Sequence, residues 1–114
     1  MLKVGKTVLA ENVKICDTDY LKAKGLMFRF SKFENEALVF VLNEESRANA
    51  SIHMFFVFFP IDVLFLDKDK KIADFKKNVL PFTPLVIPKN PAKYVVELPK
   101  GTLKQVKRGQ KIFW

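Results

Sequence analysis

Four ionisable residues of the 114-residue chain lie inside apolar stretches, where a charge needs a compensating partner. They are Arg29, His53, Asp62 and Glu97. A carboxylate among apolar neighbours is costly unless it is paired or hydrogen-bonded. We therefore expect Asp62, which follows Pro60-Ile61, to be held by Arg29, by a lysine or by backbone amides at the Pro60 bend. The pair is either a structural clamp or the polar end of a pocket, where burial raises the pKa of an acid and a nearby arginine lowers it.

Arg29 presents the same alternatives. Paired with Asp62 or Glu97 it is structural, whereas a free guanidinium in a cleft would bind an anionic or hydroxyl-rich ligand. We predict a cleft whose rim is formed by the segment from Gly25 through Met27 to Arg29. The candidate ligand-binding residues are Gly25, Met27, Arg29, His53, Asp62 and Glu97.

The single histidine and the single cysteine limit the other chemistries. One His and one Cys without a second ligand-spaced His do not make a zinc site, and one Cys cannot form an internal disulfide. A Cys16–His53 nucleophile pair would depend on the fold bringing the two together. No phosphate-binding glycine loop or dinucleotide fingerprint occurs, so we expect no metal and no cofactor.

Three functions remain open. The first is a non-catalytic module that binds a small polar or anionic ligand near Arg29 and Asp62. The second is a hydrolase-like enzyme with Asp62 as acid or base, assisted by His53 and Arg29. The third, weaker one is non-specific nucleic-acid binding through a lysine-rich surface, since the net charge is +8. The chain has seventeen lysines and only three arginines. Proteins that recognise specific nucleic-acid sequences prefer arginine, so a nucleic-acid partner is the less favoured hypothesis.

The elements that must position these residues begin with two short strands, at 7–9 and 13–16, joined by a turn. Asp17 is a candidate N-cap for a helix over 18–24, and Gly25 is suited to end that helix with a positive φ. Residues 37–42 form an apolar run of strand length, and the polar residues 43–50 predict a loop.

The most apolar part of the chain is residues 52–66. It predicts two strands covered on both faces, at 52–59 and 61–66, with Phe55, Phe56, Phe58 and Phe59 in the core. A charged turn then leads to a strand over 71–79, which forms a hairpin with 61–66. Four prolines make 80–91 an extended loop, in which 85–87 could lie against the core. Strands at 94–98 and 110–113 complete the chain.

These elements predict one α+β, mainly β domain over residues 1–114. We expect a small rolled antiparallel or mixed sheet, or a barrel, with one short helix, since closure hides strand edges. The start of the chain lacks an apolar segment of the secretory kind, and the apolar run of about 15 residues is shorter than the ~20 needed to cross a bilayer. We therefore expect a cytoplasmic protein without a membrane span; its oligomeric state stays open.

Three blocks of residues resemble the domain-of-unknown-function family 192, also called uncharacterised protein family 0127. Lys24-Gly25-Leu26-Met27-Phe28-Arg29 resembles its "(R/K)-G-L-M-F-R" segment. Met54 followed by Pro60-Ile61-Asp62-Val63-Leu64-Phe65-Leu66-Asp67 is similar to its central block, and Val96-Glu97-Leu98-Pro99 with Gly101 to its "L-E-(L/V)-P-x-G" block. The closing Val106 and Gly109 fit its end, so the resemblance extends from about Val13 onward. It implies a small, mainly β domain with no assigned activity.

This chain departs from the family pattern around Met54 and near its end. The family often has Trp before the Met and Lys-Asn-Thr after it, whereas here the neighbours are His53 and Phe55-Phe56-Val57. Gln110 stands where the closing Asp is usual. A polar site built from those family lysine and asparagine side chains is therefore not expected here.

Overall fold

The computed structural model describes every residue from Met1 to Trp114 as eight β-strands and one α-helix. In chain order they are β1 (Leu2–Val4), β2 (Thr7–Ala10), β3 (Asn12–Cys16), α1 (Asp19–Lys24), β4 (Glu36–Ser46), β5 (Ile61–Leu66), β6 (Ile72–Val79), β7 (Ala92–Pro99) and β8 (Ile112–Phe113). They form a three-stranded sheet of order β2-β1-β8 and a five-stranded sheet of order β3-β4-β7-β5-β6.

The larger sheet is mixed. β3 and β4 run parallel, and the other neighbours run antiparallel. The prediction of a mainly β, α+β domain with a mixed sheet is confirmed. The alternative of a barrel is not, because neither sheet closes on itself.

Strand β5 lies between β6 and β7, and all six of its residues are buried. Because successive side chains of a strand point to opposite faces, β5 supplies two separate cores. Val63 and Phe65 pack on the face covered by α1, which we call the helix side. Leu64 and Leu66 pack on the face covered by Leu2, Ala10 and Ile112 of the smaller sheet, which we call the small-sheet side.

Helix α1 is short and is capped at both ends. The Thr18 hydroxyl accepts a hydrogen bond from the Leu21 amide at 3.2 Å, so Thr18 is the N-cap and the predicted Asp17 is not. Gly25 ends the helix with a positive φ of 46°, as predicted, and donates its amide to the Leu21 carbonyl.

No helix of the chain has the length and apolarity required to pass through a membrane.

The predicted strand at 52–59 is wrong. This segment is a loop that touches the sheet system through a single bridge between Ile52 and Val86. Only Met54 and Val57 of its central part are buried, because the turn between them directs Phe55 and Phe56 outward. The aromatic composition fits a strand and an exposed loop equally well, since β-propensity mainly measures packing on a covered surface.

Other boundaries shift less. β4 continues into the predicted loop as far as Ser46, and β1 lies in a segment without a strand prediction. The β5–β6 hairpin is confirmed. The proline-rich segment is a loop, as predicted; of residues 85–87 only Val86 is buried against the helix-side core, and Leu85 and Ile87 are exposed.

Candidate functional site

The buried acid Asp62 is held entirely by backbone amides. Its side chain is 1% exposed. One carboxylate oxygen accepts the Asn78 amide at 2.9 Å, and the other accepts the Gly101 and Leu103 amides at 3.1 and 2.9 Å. Of the three predicted kinds of partner, backbone amides hold Asp62 and neither Arg29 nor a lysine does. The amides come from β6 and from the turn after β7 rather than from the Pro60 bend. Asp62 is a clamp that joins three segments.

Arg29 is paired with Glu36 at the start of β4. Its two terminal nitrogens lie 2.9 and 2.8 Å from the two oxygens of the Glu36 carboxylate. Its Nε donates to the Ser31 hydroxyl, and one terminal nitrogen also donates to the Lys32 carbonyl. The hydrogen bond from Arg29 lowers the pKa of Glu36 and outweighs the effect of partial burial, which raises it. The guanidinium is thus already occupied within the protein.

Glu97 on β7 is the opposite case. Its side chain is 7% exposed, and no group of the protein donates a hydrogen bond to its carboxyl oxygens. Burial raises the pKa of Glu97 to about 7. In the antiparallel register Glu97 lies opposite Val63, and Asp62 lies opposite Leu98. The two carboxylates therefore point to opposite faces of the sheet, Glu97 to the helix side.

A cavity of about 250 Å³ lies beside Glu97, between α1 and the five-stranded sheet. Much of its wall is apolar and is formed by Leu26, Met27, Phe40, Leu42, Val57 and Val95. Glu97 is the only acidic residue in the wall, and Lys22 and Lys24 are the basic ones. We call this space the Glu97 cavity.

Gly25 keeps the space near Glu97 open. A Cβ atom at Gly25 would lie 3.2 Å from a ring carbon of Phe40 and 3.7 Å from a carboxyl oxygen of Glu97. The backbone there, at φ 46° and ψ −123°, is also one that side-chain-bearing residues rarely adopt. Both facts favour glycine at this position: a side chain would strain the backbone and would have to displace the Phe40 ring slightly.

His53 borders the same cavity from the loop before β5. Its Nδ1 accepts the Phe55 amide at 3.2 Å. A neutral imidazole that accepts at Nδ1 carries its proton at Nε2, so His53 offers a hydrogen-bond donor.

The structure thus brings together four of the six predicted site residues: Gly25, Met27, His53 and Glu97. Arg29 lies in a neighbouring depression that shares Gly25 and Lys24 with the cavity. Asp62 lines neither space. Two polar residues of the cavity wall, Asn49 and Ser51, were not predicted, since their segment shows only the composition of a polar loop.

Cys16 does not join this group. It is buried in the helix-side core, and burial raises the pKa of its thiol. It is not part of the wall that His53 helps to form, so the structure gives no support to a Cys16–His53 nucleophile pair.

The comparison with known proteins gives one family. The model of the family DUF192, described as "Uncharacterized ACR, COG1430", matches residues 1–114. The chain is similar to UPF0127 protein TK1120 of Thermococcus kodakarensis, with 44% identity over 104 residues, 90% of this chain and 64% of the relative. It therefore spans less than two thirds of that relative's length.

Two solved structures share the fold. A protein of unknown function from Novosphingobium aromaticivorans superposes with a TM-score of 0.80 at 26% identity, over 90% of this chain and 74% of the other. A protein of Sinorhizobium meliloti described as a "putative transcription regulator" superposes with a TM-score of 0.79 at 25% identity, over 89% of this chain and 79% of the other.

Proposed function

The chain belongs to the family DUF192 of uncharacterised proteins, and we propose that it is a non-catalytic module that binds a small molecule in the Glu97 cavity. One observation carries this proposal. A carboxyl group that is nearly fully buried has no hydrogen-bond donor from the protein and borders a cavity large enough for a few non-hydrogen atoms. No fully buried side-chain oxygen of the protein lacks a hydrogen-bond partner, so the Glu97 carboxyl, which accepts none, keeps a small accessible surface. We take this surface to face the cavity, where a ligand can supply the donor that the protein does not.

The lining specifies the chemistry of the ligand. Glu97 selects an end that donates hydrogen bonds, such as an amine or a hydroxyl group, and the Nε2–H of His53 favours an additional acceptor. The apolar part of the wall suits a short hydrocarbon body. An anionic end close to Glu97 is disfavoured, because two negative charges at short distance repel each other and the Arg29 guanidinium is committed to Glu36. The ligand class is thus a small amine or alcohol rather than the anion suggested by Arg29 and Asp62.

The test uses three probes of equal length: n-butylamine, n-butanol and n-butyrate. Thermal unfolding of the full chain is followed at about pH 8, where Glu97 is ionised in the empty cavity. We expect the amine and the alcohol to raise the melting temperature and butyrate to leave it unchanged. Saturation at a hundredfold excess over Kd corresponds to about 2.7 kcal/mol of added stability.

The matched variants are Glu97→Gln and Glu34→Gln, the second at an exposed acid away from the cavity. Glu97→Gln should abolish the effect of butylamine while retaining part of the effect of butanol, and Glu34→Gln should change neither. An equal response of wild type and Glu97→Gln to butylamine, or no response to any of the probes, contradicts the proposal.

A catalytic function would have to use other groups than the sequence suggested. Both oxygens of Asp62 are engaged by amides, so Asp62 is not free to transfer a proton. His53 and Glu97 border one cavity and are the remaining acid–base candidates. The wall offers no thiol and a single aliphatic hydroxyl, that of Ser51, which donates to the Arg47 carbonyl. The binding function is therefore preferred.

Nucleic-acid binding receives less support. The name of the Sinorhizobium protein points in that direction. The lysines, however, are spread over elements of both sheets and the helix, as Lys3, Lys14, Lys22, Lys76 and Lys93 illustrate. A phosphate-tracking surface requires its cations to be gathered along one path.

A further inference from the structure

Five phenylalanine rings form a continuous exposed row at the loops of the helix side. Phe30 stacks on Phe58 with ring centroids 5.0 Å apart, and Phe28 stacks on Phe56 at 4.7 Å. Phe82 joins the two pairs by edge contacts of 5.7 and 6.2 Å. All five are exposed, Phe30 most of all at 83%. We call these five residues the phenylalanine patch; none of them lines the Glu97 cavity.

The backbone holds three of these rings outward at a cost. Phe28, Phe56 and Phe82 have φ values of 60°, 58° and 61°. A left-handed conformation costs a residue with a side chain roughly 1–2 kcal/mol. The same residues tie the loops together, since the Phe28 amide donates to the Phe56 carbonyl and the Phe82 amide donates to the Met54 carbonyl, both at 2.8 Å. The patch is therefore a built surface, and strained backbone of this kind concentrates at functional positions.

The size of the patch suits a shallow contact better than a dimer. With about 200 Å² for a free ring, the five exposed fractions amount to roughly 500 Å² of aromatic surface. That is near the upper end for the largest apolar patch of a monomer and below the ~800 Å² that each partner contributes to a standard protein interface. A second copy of the chain would also bring a net charge of +8 against another +8.

The charges around the patch are basic. The three segments that carry it, 26–33, 53–59 and 80–87, contain no Asp or Glu, and their two cations are paired with acids just outside them, Arg29 with Glu36 and Lys32 with Glu34. Lys14 and Lys24 border the depression that holds Phe28 and Phe30, where Glu36 is the only acid and is neutralised by Arg29. Aromatic rings bordered by Lys14 and Lys24 complement a surface that is apolar inside and negative at its boundary.

We propose that the phenylalanine patch docks on an anionic lipid bilayer, with the rings at the boundary between headgroups and acyl chains and with Lys14 and Lys24 near lipid phosphates. Aromatic side chains favour this boundary, and cations near an anionic leaflet strengthen the contact. The fold then rests on the membrane surface with its helix side, which places the Glu97 cavity on the same face of the five-stranded sheet.

The test is cosedimentation of the full chain with vesicles of phosphatidylglycerol and phosphatidylcholine, compared with vesicles of phosphatidylcholine alone. We expect binding to the anionic vesicles that weakens with added salt. Phe30→Ser should lower the partition coefficient roughly tenfold or more, because the most exposed ring no longer leaves water. Phe113→Ser is the matched control, since Phe113 is an exposed ring on β8 in the other sheet, and it should bind like wild type.

A Lys14→Gln, Lys24→Gln double variant separates charge from apolar contact and should lose preference for the anionic vesicles. Equal binding to both vesicle types overturns the anionic assignment, and no binding to either overturns the proposal. A dimer that Phe30→Ser dissociates in sedimentation equilibrium would show that a second copy covers the patch instead. Butylamine binding by Phe30→Ser is measured in parallel and reports on the Glu97 cavity alone. A failure of the membrane proposal can therefore be distinguished from a failure of the ligand-binding proposal.

Discussion

The two faces of the five-stranded sheet treat a buried carboxylate in opposite ways. On the small-sheet side, Asp62 accepts three amide hydrogen bonds from segments that it joins. On the helix side, Glu97 is buried almost as deeply, accepts none and borders a cavity. The two residues occupy adjacent register positions of β5 and β7. Burial of a charge therefore does not distinguish a structural acid from a candidate site; the presence or absence of a partner does.

The same contrast holds for the apolar residues. The small-sheet side is closed by β1, β2 and β8 over a core that includes Leu64, Leu66 and Ile112. The helix side is closed by a six-residue helix and by loops, which leave a cavity inside and phenylalanine rings outside. One face is closed by packed strands, and the other presents a carboxyl group beside a cavity and exposed aromatic rings that a ligand or a surface can use.

The largest expected effect comes from Asp62→Ala. Removal of the carboxylate leaves the Asn78, Gly101 and Leu103 amides without their acceptor, and we expect the free energy of unfolding to fall by about 3–5 kcal/mol. Asp62→Asn, which keeps one accepting oxygen, should lose an intermediate amount. Urea unfolding at neutral pH measures both. A loss below about 1 kcal/mol for Asp62→Ala would contradict the clamp and would erase the contrast with Glu97.

Glu97→Gln should instead stabilise the protein above neutral pH. The pKa of Glu97 is raised by burial from 4.5 to about 7, so the folded state binds more protons than the unfolded state between these values. Stability contributed by this group is therefore complete at low pH and falls as the pH rises through that window, by about 3 kcal/mol in total.

The measurement compares urea unfolding of wild type and Glu97→Gln at about pH 4.5 and about pH 8. We expect similar stabilities at the lower pH and an advantage of about 3 kcal/mol for the variant at the higher pH. The pKa values of Glu36 and Asp74 are lowered in the fold, so these two groups make stability rise with pH. Both proteins share this contribution, and it cancels when the free energy of unfolding of wild type is subtracted from that of Glu97→Gln. A difference that does not depend on pH would show that Glu97 is not buried without a partner.

The sequence predicts the local parts of this arrangement well. The β5–β6 hairpin, the helix ending at Gly25 and the family blocks follow from patterns within a few residues of one another. The sequence suggested one cleft near Arg29 and Asp62, whereas the cavity is lined by the other four candidates and by neither of these two. The positions of the amides that hold Asp62 were not predicted, because the three amides lie 16, 39 and 41 residues away and an amide leaves no signature in a sequence.

The phenylalanine patch was missed for a different reason. A run of aromatic residues at 55–59 predicts a core strand on composition, since aromatic residues are usually buried. What places Phe56 outside is a positive φ, a conformation that nothing in the sequence announces for phenylalanine. Errors of this kind are expected where function, rather than packing, selects the residue.

Gly25→Ala tests whether the helix side depends on the close approach of the Phe40 ring to the backbone of Gly25. The substitution forces a side chain into a conformation suited to glycine and brings its Cβ within 3.2 Å of Phe40, so we expect a loss of about 2 kcal/mol in the free energy of unfolding. Gly5→Ala is the matched control on the small-sheet side, with φ +57° and no atom within 4 Å of the added Cβ, and should cost about 1 kcal/mol. Gly25→Ala should also reduce the thermal shift with n-butanol, whereas Gly5→Ala should preserve it. Equal costs and equal shifts would show that Gly25 acts only through its backbone.

The smallest effect is expected at the start of α1. Thr18→Ala removes the acceptor for the Leu21 amide and should cost about 1 kcal/mol. Asp17→Ala, at the position that the sequence suggested as the cap, should cost less than about 0.5 kcal/mol, since no amide donates to its side chain. Because α1 forms part of the cavity wall, Thr18→Ala should accelerate amide hydrogen exchange in α1 and leave β1 and β2 unaffected. Faster exchange in both regions would mean that the helix side and the small-sheet side open as one unit, and their division into a stable face and an adaptable face would be lost.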